Sequence, residues 1–303
     1  MKTEQESGAS VSKKGTYRNR RSFKQTGGKW MRNVRIGAPG FILMRETARD
    51  MPGTLKRIAD LGYDGFEFLG FFGHSAEEIS RWCQEAGLRP YGCFARLDEL
   101  AGIRDGGTAN EFDRAVEMQG DTPDEKAAYL KEIGCEYVSL MVPNSTMDET
   151  RTERINQVSK LVRKYGMKLQ YHNHDYEYTN MVNGKYRMDS IMENTIPDVL
   201  FEPDLGWMEI GGYRCERALK KYADRIEVIH LKDYYRDAFD ISLPYEFRPT
   251  GYGVMDWASI LPLCEKTIKP VWYTADHDKA MRGDIYEELK LSLDFIRNAV
   301  KFC

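Results

Sequence analysis

Eight short apolar runs recur along this chain, and each is separated from the next by a segment with helical spacing. The runs fall at 34–38, 65–69, 89–94, 137–141, 167–173, 199–203, 226–231 and 271–275. Apolar residues three and four positions apart in the intervening segments predict amphipathic helices. Strict alternation of strand and helix predicts parallel strands with crossover helices, and eight such units suit a closed barrel of about 250 residues.

The helix ends are marked by residue types that favour them. Ser75-Ala76-Glu77-Glu78 and Thr122-Pro123-Asp124-Glu125 have the form of a capping box, and Gly62, Gly87 and Gly134 each precede an apolar run. The predicted helices are 53–61, 75–86, 123–133, 147–165, 186–193, 214–223, 256–266 and 284–300. We therefore predict a single (β/α)8 TIM barrel over residues 34–303.

A doubly wound parallel sheet is the alternative fold for an alternating chain. It would normally carry a glycine-rich phosphate loop after its first strand. Gly37-Ala38-Pro39-Gly40 occupies that place and does not match G-x-G-x-x-G. The barrel is therefore the favoured fold.

Residues 1–33 differ in composition from the rest of the chain. They are rich in Lys, Arg, Ser, Gly and Gln, which predicts a disordered basic leader. Asn19–Lys24 resembles a twin-arginine export motif, but residues 25–31 lack the apolar stretch that a secretory signal needs. We predict a cytoplasmic protein, with a periplasmic location as the alternative, and no apolar run is long enough to span a membrane.

Charge and cysteine usage exclude several classes of protein. The net charge is −3 and the basic residues beyond the leader are scattered, so nucleic acid is not the expected partner. The six cysteines never form Cys-x-x-Cys, which argues against a zinc knot or a disulfide framework. We expect a small-molecule partner, and a homo-oligomer remains open.

Four of the predicted strands end in side chains that can bind a metal ion. His172 and His174 lie two residues apart at the end of the fifth run and so point to one side of a strand. The three later runs end in Asp204, His230 and Asp276. Because the carboxyl ends of barrel strands meet at one face, we expect these side chains to lie together.

Two histidines with two carboxylates predict a divalent metal, with Mn, Co, Zn or Fe favoured over Mg. Such an ion polarises a carbonyl and needs a neighbouring base to move the proton. The candidate catalytic residues are His174 and Glu177, together with Glu67 at the end of the second run. The candidate substrate-binding residues are Asn144, Trp207, Lys232, Asp233 and Arg236.

Several of these residues also have an ordinary structural interpretation. A single histidine at a strand end is often only a hydrogen-bonded core residue, although four such ends on consecutive strands favour a shared site. Glu202 precedes a proline and could be a surface charge, and Asp233 with Arg236 could form an exposed ion pair of little energetic weight. The segment 104–121 is predicted to be a mobile lid or substrate loop.

Five motifs together carry a resemblance to a known family. They are Gly53–Ile58 with Leu61–Glu67, Tyr171–Tyr178, Asp204-Leu205-Gly206-Trp207, His230-Leu231-Lys232-Asp233 and Gly251–Trp257. From about Val34 to Val300 the sequence resembles the sugar phosphate isomerase/epimerase group of the xylose isomerase-like barrels. The resemblance implies a divalent metal held by strands five to eight, and proton transfer beside a sugar carbonyl through an enediolate.

The resemblance also indicates where this chain departs from the family. It implies that Asp204 and His230 are the second and third ligands. The well-studied epimerases have glutamates at the first and fourth positions, where this chain has His172 and Asp276. Those glutamates double as acid and base, so the resemblance does not carry a two-glutamate epimerisation over to this chain.

We predict a sugar isomerase or epimerase, and two alternatives stay open. Relatives with the Tyr-His-Asn-His form include proteins thought to act on inososes or 3-keto sugars, which favours a lyase, dehydratase or hydrolase. The third reading is a sugar-binding barrel without catalysis. The related DNA-repair endonucleases need three metals and a basic groove, and this chain has too few histidines and too little positive charge for that.

Overall fold

The computed structural model describes residues 34–103, 116–140, 142, 149–237, 244–280 and 283–302. The predicted leader 1–33, residues 104–115 of the predicted lid and Asn144 lie outside the described residues. Nothing further is said of their structure.

Within the described ranges, eight short strands form one sheet, and all of their pairings are parallel. The order along the sheet is β6-β5-β4-β3-β2-β1-β8-β7, and a bridge between Asp204 and His230 brings its two ends together. The predicted (β/α)8 barrel is therefore confirmed. The strands are β1 Arg35–Pro39, β2 Gly65–Phe68, β3 Arg89–Ala95, β4 Tyr137–Leu140, β5 Lys168–His172, β6 Leu200–Glu202, β7 Val228–His230 and β8 Trp272–Thr274.

The helices surround the barrel, and each of the eight predicted ones is present with ends within two residues of the prediction. Both capping boxes form, and Gly62, Gly87 and Gly134 end their helices in the left-handed region. The helices are α1 Met44–Arg49, α2 Met51–Leu61, α3 Ala76–Ala86, α4 Leu97–Leu100, α5 Pro123–Ile133, α6 Glu149–Lys164, α7 Tyr176–Thr179, α8 Arg187–Asn194, α9 Leu205–Ile210, α10 Cys215–Lys221, α11 Trp257–Thr267 and α12 Ile285–Ala299.

Short elements near the carboxyl ends of the strands were not predicted. They are the helices α1, α4, α7 and α9 and two small hairpins, one pairing 181–182 with 185–186 and one pairing 233–235 with 246–248. Elements of two to six residues are too short to show a helical or strand period in the sequence. No helix in the described part of the chain is long and apolar enough to cross a bilayer.

The interior of the barrel is closed at its amino-terminal end by a small apolar cluster. The rings of Tyr91 and Trp272 stack there with centroids 4.1 Å apart, and the Tyr91 hydroxyl lies 2.7 Å from Thr274 Oγ1. Gly37 makes room for this packing, because a Cβ at that position would lie 2.2 Å from the Tyr91 ring. This apolar cluster fills the amino-terminal end of the barrel. Buried polar side chains lie at the other end, near the carboxyl ends of the strands.

Candidate metal centre

The structure brings together the four residues predicted as metal ligands. His172 and His230 are the last residues of β5 and β7, and Asp204 and Asp276 each lie two residues beyond the end of a strand. All four side chains are buried. Because the strands are parallel and in register, their carboxyl ends deliver these groups to one place.

Two buried glutamates, Glu67 and Glu202, lie deeper in the barrel than the two aspartates. Each histidine stands between one glutamate and one aspartate. His172 Nδ1 lies 3.2 Å from Glu202 Oε2 and its Nε2 lies 3.9 Å from Asp204 Oδ2. His230 Nε2 lies 2.9 Å from Glu67 Oε2 and its Nδ1 lies 3.1 Å from Asp276 Oδ2. Both imidazoles thus have an inner carboxylate on one nitrogen and an outer carboxylate on the other.

The sequence-based interpretation of Glu202 as a surface charge is wrong. Its side chain is fully buried, because the residue lies within β6 and pairs in register with His172 of β5. The amide of Gln170 donates to Glu202 Oε1 and also lies 2.9 Å from Ser139 Oγ. Glu202 is therefore held at the centre of the site by a polar layer on neighbouring strands.

Several buried carboxylate oxygens at this site have no hydrogen-bond donor among the residues that the structure describes, and a cation could take the place of the missing donors. Among the described residues, both oxygens of Glu67, Asp204 Oδ2 and Asp276 Oδ1 are buried without a hydrogen-bond partner. Two of these oxygens lie in ion pairs, Glu67 Oε2 at 2.9 Å from His230 Nε2 and Asp204 Oδ2 at 2.8 Å from Lys232 Nζ. Buried carboxylates in folded proteins are ordinarily satisfied, so converging unsatisfied oxygens fit a site for a positive ion.

Two overlapping groups of three have ligand atoms close enough for one ion. One is Asp204, His230 and Asp276, and the other is His172, Glu202 and His230. They share His230. The donor set of imidazole nitrogens and carboxylate oxygens suits Mn, Fe, Co or Zn better than an all-oxygen site would.

The two inner glutamates titrate differently although they face the same histidine. Burial, reinforced by the charge of Glu202, raises the pKa of Glu67 to about 8. Burial alone would also raise the pKa of Glu202, but the charge of His230 and hydrogen bonds from His172 and His230 outweigh it and hold that pKa well below its usual range. The surroundings therefore favour the protonated form of Glu67 and the ionised form of Glu202.

Lys232 was predicted to orient substrate hydroxyls, and its ammonium group is buried among carboxylates. Its Nζ lies 2.8 Å from Asp204 Oδ2, 3.0 Å from Asp276 Oδ2 and 2.7 Å from Asp278 Oδ1. Although burial opposes the charge, these three carboxylates raise the pKa of Lys232 well above its usual value. Lys232 thus remains charged, and Asp278 joins the site as a residue that the sequence analysis missed.

His174 lies at the edge of the site, partly exposed. Its ring centroid is 5.3 Å from that of His172 and 5.6 Å from that of Trp207. Burial, helped by neighbouring groups that include Lys232, lowers the pKa of His174 to about 2. The imidazole is therefore neutral at physiological pH.

Glu177, the second predicted base, has its carboxylate bound to neighbouring groups. It accepts a hydrogen bond from the Tyr171 hydroxyl at 2.8 Å and another from the backbone N–H of His174 at 2.8 Å. Burial raises its pKa to about 7, and these hydrogen bonds oppose the rise. In this arrangement Glu177 fixes the turn that carries His174.

Trp207 lies at the mouth of the barrel in an aromatic cluster. Its ring centroid is 5.7 Å from that of Tyr245 and 5.4 Å from that of Phe247, and both of these residues come from the unpredicted hairpin region. Trp207 also donates its backbone N–H to Asp204 Oδ1 at 3.0 Å, because Asp204 caps α9. Its indole N–H is buried without a hydrogen-bond partner in the part of the chain described.

The carboxylate of Asp233 belongs to neither group of candidate metal ligands at this site. Its carboxylate accepts hydrogen bonds from the backbone N–H of Tyr234, Gly251, Gly253 and Met255 and from the indole of Trp257. The alternative of an exposed ion pair is wrong for Asp233, which is fully buried and ties a loop together. Arg236 is exposed beyond the first hairpin strand.

The chain is a (β/α)8 barrel with buried imidazoles and carboxylates at the carboxyl ends of its strands, and this arrangement is a potential metal site. A family model described as "Xylose isomerase-like TIM barrel" matches residues 55–268. The chain belongs to this family. The resemblance predicted from its motifs is confirmed.

Several relatives of the chain carry the name of an enzyme, inosose dehydratase. The chain is 26% identical over 209 residues to an inosose dehydratase of Geobacillus kaustophilus, and the match spans 62% of this chain but only 63% of that relative. A sugar phosphate isomerase/epimerase from Parabacteroides distasonis superposes with a TM-score of 0.67 at 18% identity, covering 93% of this chain and 100% of that one. The IOLI protein, solved with a bound zinc atom, superposes with a TM-score of 0.63 at 14% identity, covering 89% and 99%.

Proposed function

We propose that the protein is a metal-dependent lyase that eliminates water from a keto sugar of the inosose or 3-keto class. The observation that carries the proposal is one neutral, partly exposed imidazole, His174, beside a buried cluster of two histidines and two aspartates. The name inosose dehydratase on several relatives supports the same chemistry.

The residues present fit a divalent ion held by His172, Asp204, His230 and Asp276. Metal-bound histidines commonly give their second nitrogen to a carboxylate, and Glu202 and Glu67 stand in that position here. The zinc atom in the IOLI protein, which has the same fold, supports a divalent metal in this chain. When bound, the ion would polarise the substrate carbonyl and stabilise the negative charge that develops on its oxygen.

A single base favours elimination over epimerisation. Epimerisation by proton transfer uses two bases on opposite faces of the reacting carbon, whereas elimination of water can use one. Glu67 and Glu202 lie fully buried behind the histidines, and Lys232 is bound to three carboxylates. Among the described residues, His174 is therefore the group best placed to move a substrate proton.

In the proposed reaction His174 alone removes the proton from carbon and returns it to the leaving hydroxyl. The imidazole of His174 takes the proton from the carbon next to the carbonyl, and the electron pair of the broken C–H bond enters an enolate. The enolate then re-forms the carbonyl, a carbon–carbon double bond forms, and the hydroxyl on the β-carbon leaves. The imidazolium returns the proton to that hydroxyl, so water departs and His174 is neutral again.

The proposal is tested by incubating the Mn-loaded or Zn-loaded protein in D2O with an inosose, a 3-keto glucoside and a ketohexose. By mass spectrometry, we expect the inosose to lose one water and the 3-keto glucoside to lose the alcohol bound at C1, which is the carbon β to its ketone. We expect the ketohexose to remain unchanged. An isomeric product that contains deuterium and has lost no water would instead establish the isomerase. Binding of a keto sugar without turnover would contradict both enzymes and favour a sugar-binding barrel.

A further inference from the structure

The Tyr176 hydroxyl links the predicted base to the backbone of another strand end. It lies 3.0 Å from the carbonyl oxygen of Val142 and 3.3 Å from Nδ1 of His174. Val142 follows β4, whereas Tyr176 and His174 follow β5. The Tyr176 hydroxyl thus connects the imidazole of His174 to the backbone that follows β4.

These two contacts determine which nitrogen of His174 carries its proton. A phenol has one proton to donate, and a backbone carbonyl can only accept. The Tyr176 proton therefore goes to Val142, and the phenol oxygen is left to accept a hydrogen bond from Nδ1–H of His174. In the neutral imidazole Nε2 is then the atom with the free lone pair.

Neighbouring contacts hold the imidazole and its backbone in this arrangement. The rings of His174 and Tyr176 are nearly parallel, with an angle of 8° and centroids 5.3 Å apart. The His174 backbone N–H is held by Glu177, whose other oxygen is held by Tyr171. Among the described residues no hydrogen bond engages Nε2 of His174, so that atom is left for a substrate.

We propose that Tyr176 is a positioning residue that holds His174 in the Nδ1–H form, so that Nε2 takes and returns the substrate proton. The role of Nε2 in turnover rests on the proposed function, whereas the position of the proton does not. When Nε2 is protonated, Nδ1–H stays on the Tyr176 oxygen, so no proton passes to the phenol. The proton taken from carbon therefore remains on Nε2 for the leaving hydroxyl.

The chain offers a matched pair of variants for the test. Tyr176→Phe removes the hydroxyl that accepts from His174. Tyr178→Phe removes a hydroxyl two residues away that is buried without a hydrogen-bond partner among the described residues, and it serves as the control. Circular dichroism of both variants reports whether the fold is retained.

The first readout needs no substrate. In 15N spectra of the histidine-labelled protein, we expect the neutral ring of His174 to show a protonated Nδ1 and an unprotonated Nε2. Tyr176→Phe should mix in the opposite tautomer, and Tyr178→Phe should not. A wild-type His174 protonated at Nε2, or a spectrum that Tyr176→Phe leaves unchanged, would overturn the proposal. The wild-type spectrum alone decides the tautomer if Tyr176→Phe fails to fold.

The second readout separates this inference from the proposed function. With a substrate that loses water, Tyr176→Phe should lower kcat about tenfold and change KM less than twofold, since one hydrogen bond that sets the base is lost. An unchanged kcat together with the expected spectra would remove the catalytic role of the tautomer. The expected spectra without elimination from any keto sugar would overturn the proposed function and leave the tautomer assignment standing.

Discussion

Replacing His174 with glutamine is expected to lower kcat for water elimination by about a thousandfold, within the range that general acid–base groups contribute. Glutamine keeps a polar side chain of similar length but cannot take a proton from carbon at neutral pH. We expect the bound metal per chain to stay unchanged, because His174 belongs to neither of the two groups at this site whose residues can share an ion.

The matched control for this variant is His74→Gln. His74 packs its ring against Trp82, with centroids 4.9 Å apart, and belongs to neither group of residues at the site that can share an ion. We expect its kcat to match that of the wild type. A His174→Gln protein that keeps most of its turnover would contradict the role of His174. A parallel loss of metal would place His174 among the ligands instead.

The second large effect is expected on metal affinity, from Glu202→Gln. Glu202 is held ionised and contacts both histidines, at 3.2 Å from His172 Nδ1 and 3.4 Å from His230 Nε2. A glutamine in its place can accept through only one atom and brings no charge to balance the ion. Loss of such an orienting carboxylate typically weakens metal binding about 10- to 100-fold.

Affinity is measured by competition with a chelating dye, and Glu227→Gln is the control. Glu227 pairs with Lys168 and with Tyr137 at the opposite end of the barrel, so its replacement should leave the metal affinity unchanged. An unchanged affinity in Glu202→Gln would show that this carboxylate orients neither histidine. Complete loss of binding would make Glu202 itself a ligand, in the group that it forms with His172 and His230.

The regular part of the fold could be predicted because each of its elements carries several agreeing signals. The helices α3 and α5 have a capping box at the start and a left-handed glycine at the end, and both boxes form. The strands between them are short apolar runs flanked by such helices. Local signals of this kind depend on neighbouring residues only, so the sequence displays them directly.

The outer part of the site was predictable for a related reason. His172, Asp204, His230 and Asp276 end consecutive barrel strands, and parallel strands place their ends together. Of the inner residues Glu67 was predicted as a site residue, whereas Glu202 and Gln170 were missed although the alternation of side chains along their strands extends inwards. Glu202 lies two residues before Asp204, and Gln170 lies two residues before His172. The proline after Glu202 suggested the end of a strand at the surface, so the burial of Glu202 was not predicted.

Other features depend on contacts between distant segments that no local pattern encodes. Lys232 is surrounded by Asp204, Asp276 and Asp278, which come from two other parts of the chain. Tyr245 and Phe247 reach Trp207 only because a short hairpin folds back over the barrel mouth. The direction of each side chain is set by packing, which the sequence alone does not specify.

The central claim is that His172, Asp204, His230 and Asp276 hold one divalent ion. Elemental analysis of the protein purified without chelator, with a His172→Gln/Asp276→Asn double variant beside it, tests this claim most directly. The account predicts close to one Mn, Fe, Co or Zn per wild-type chain and almost none in the folded double variant. Wild-type protein that holds no metal even after soaking with Mn and Zn, or a double variant that keeps its ion, would contradict it.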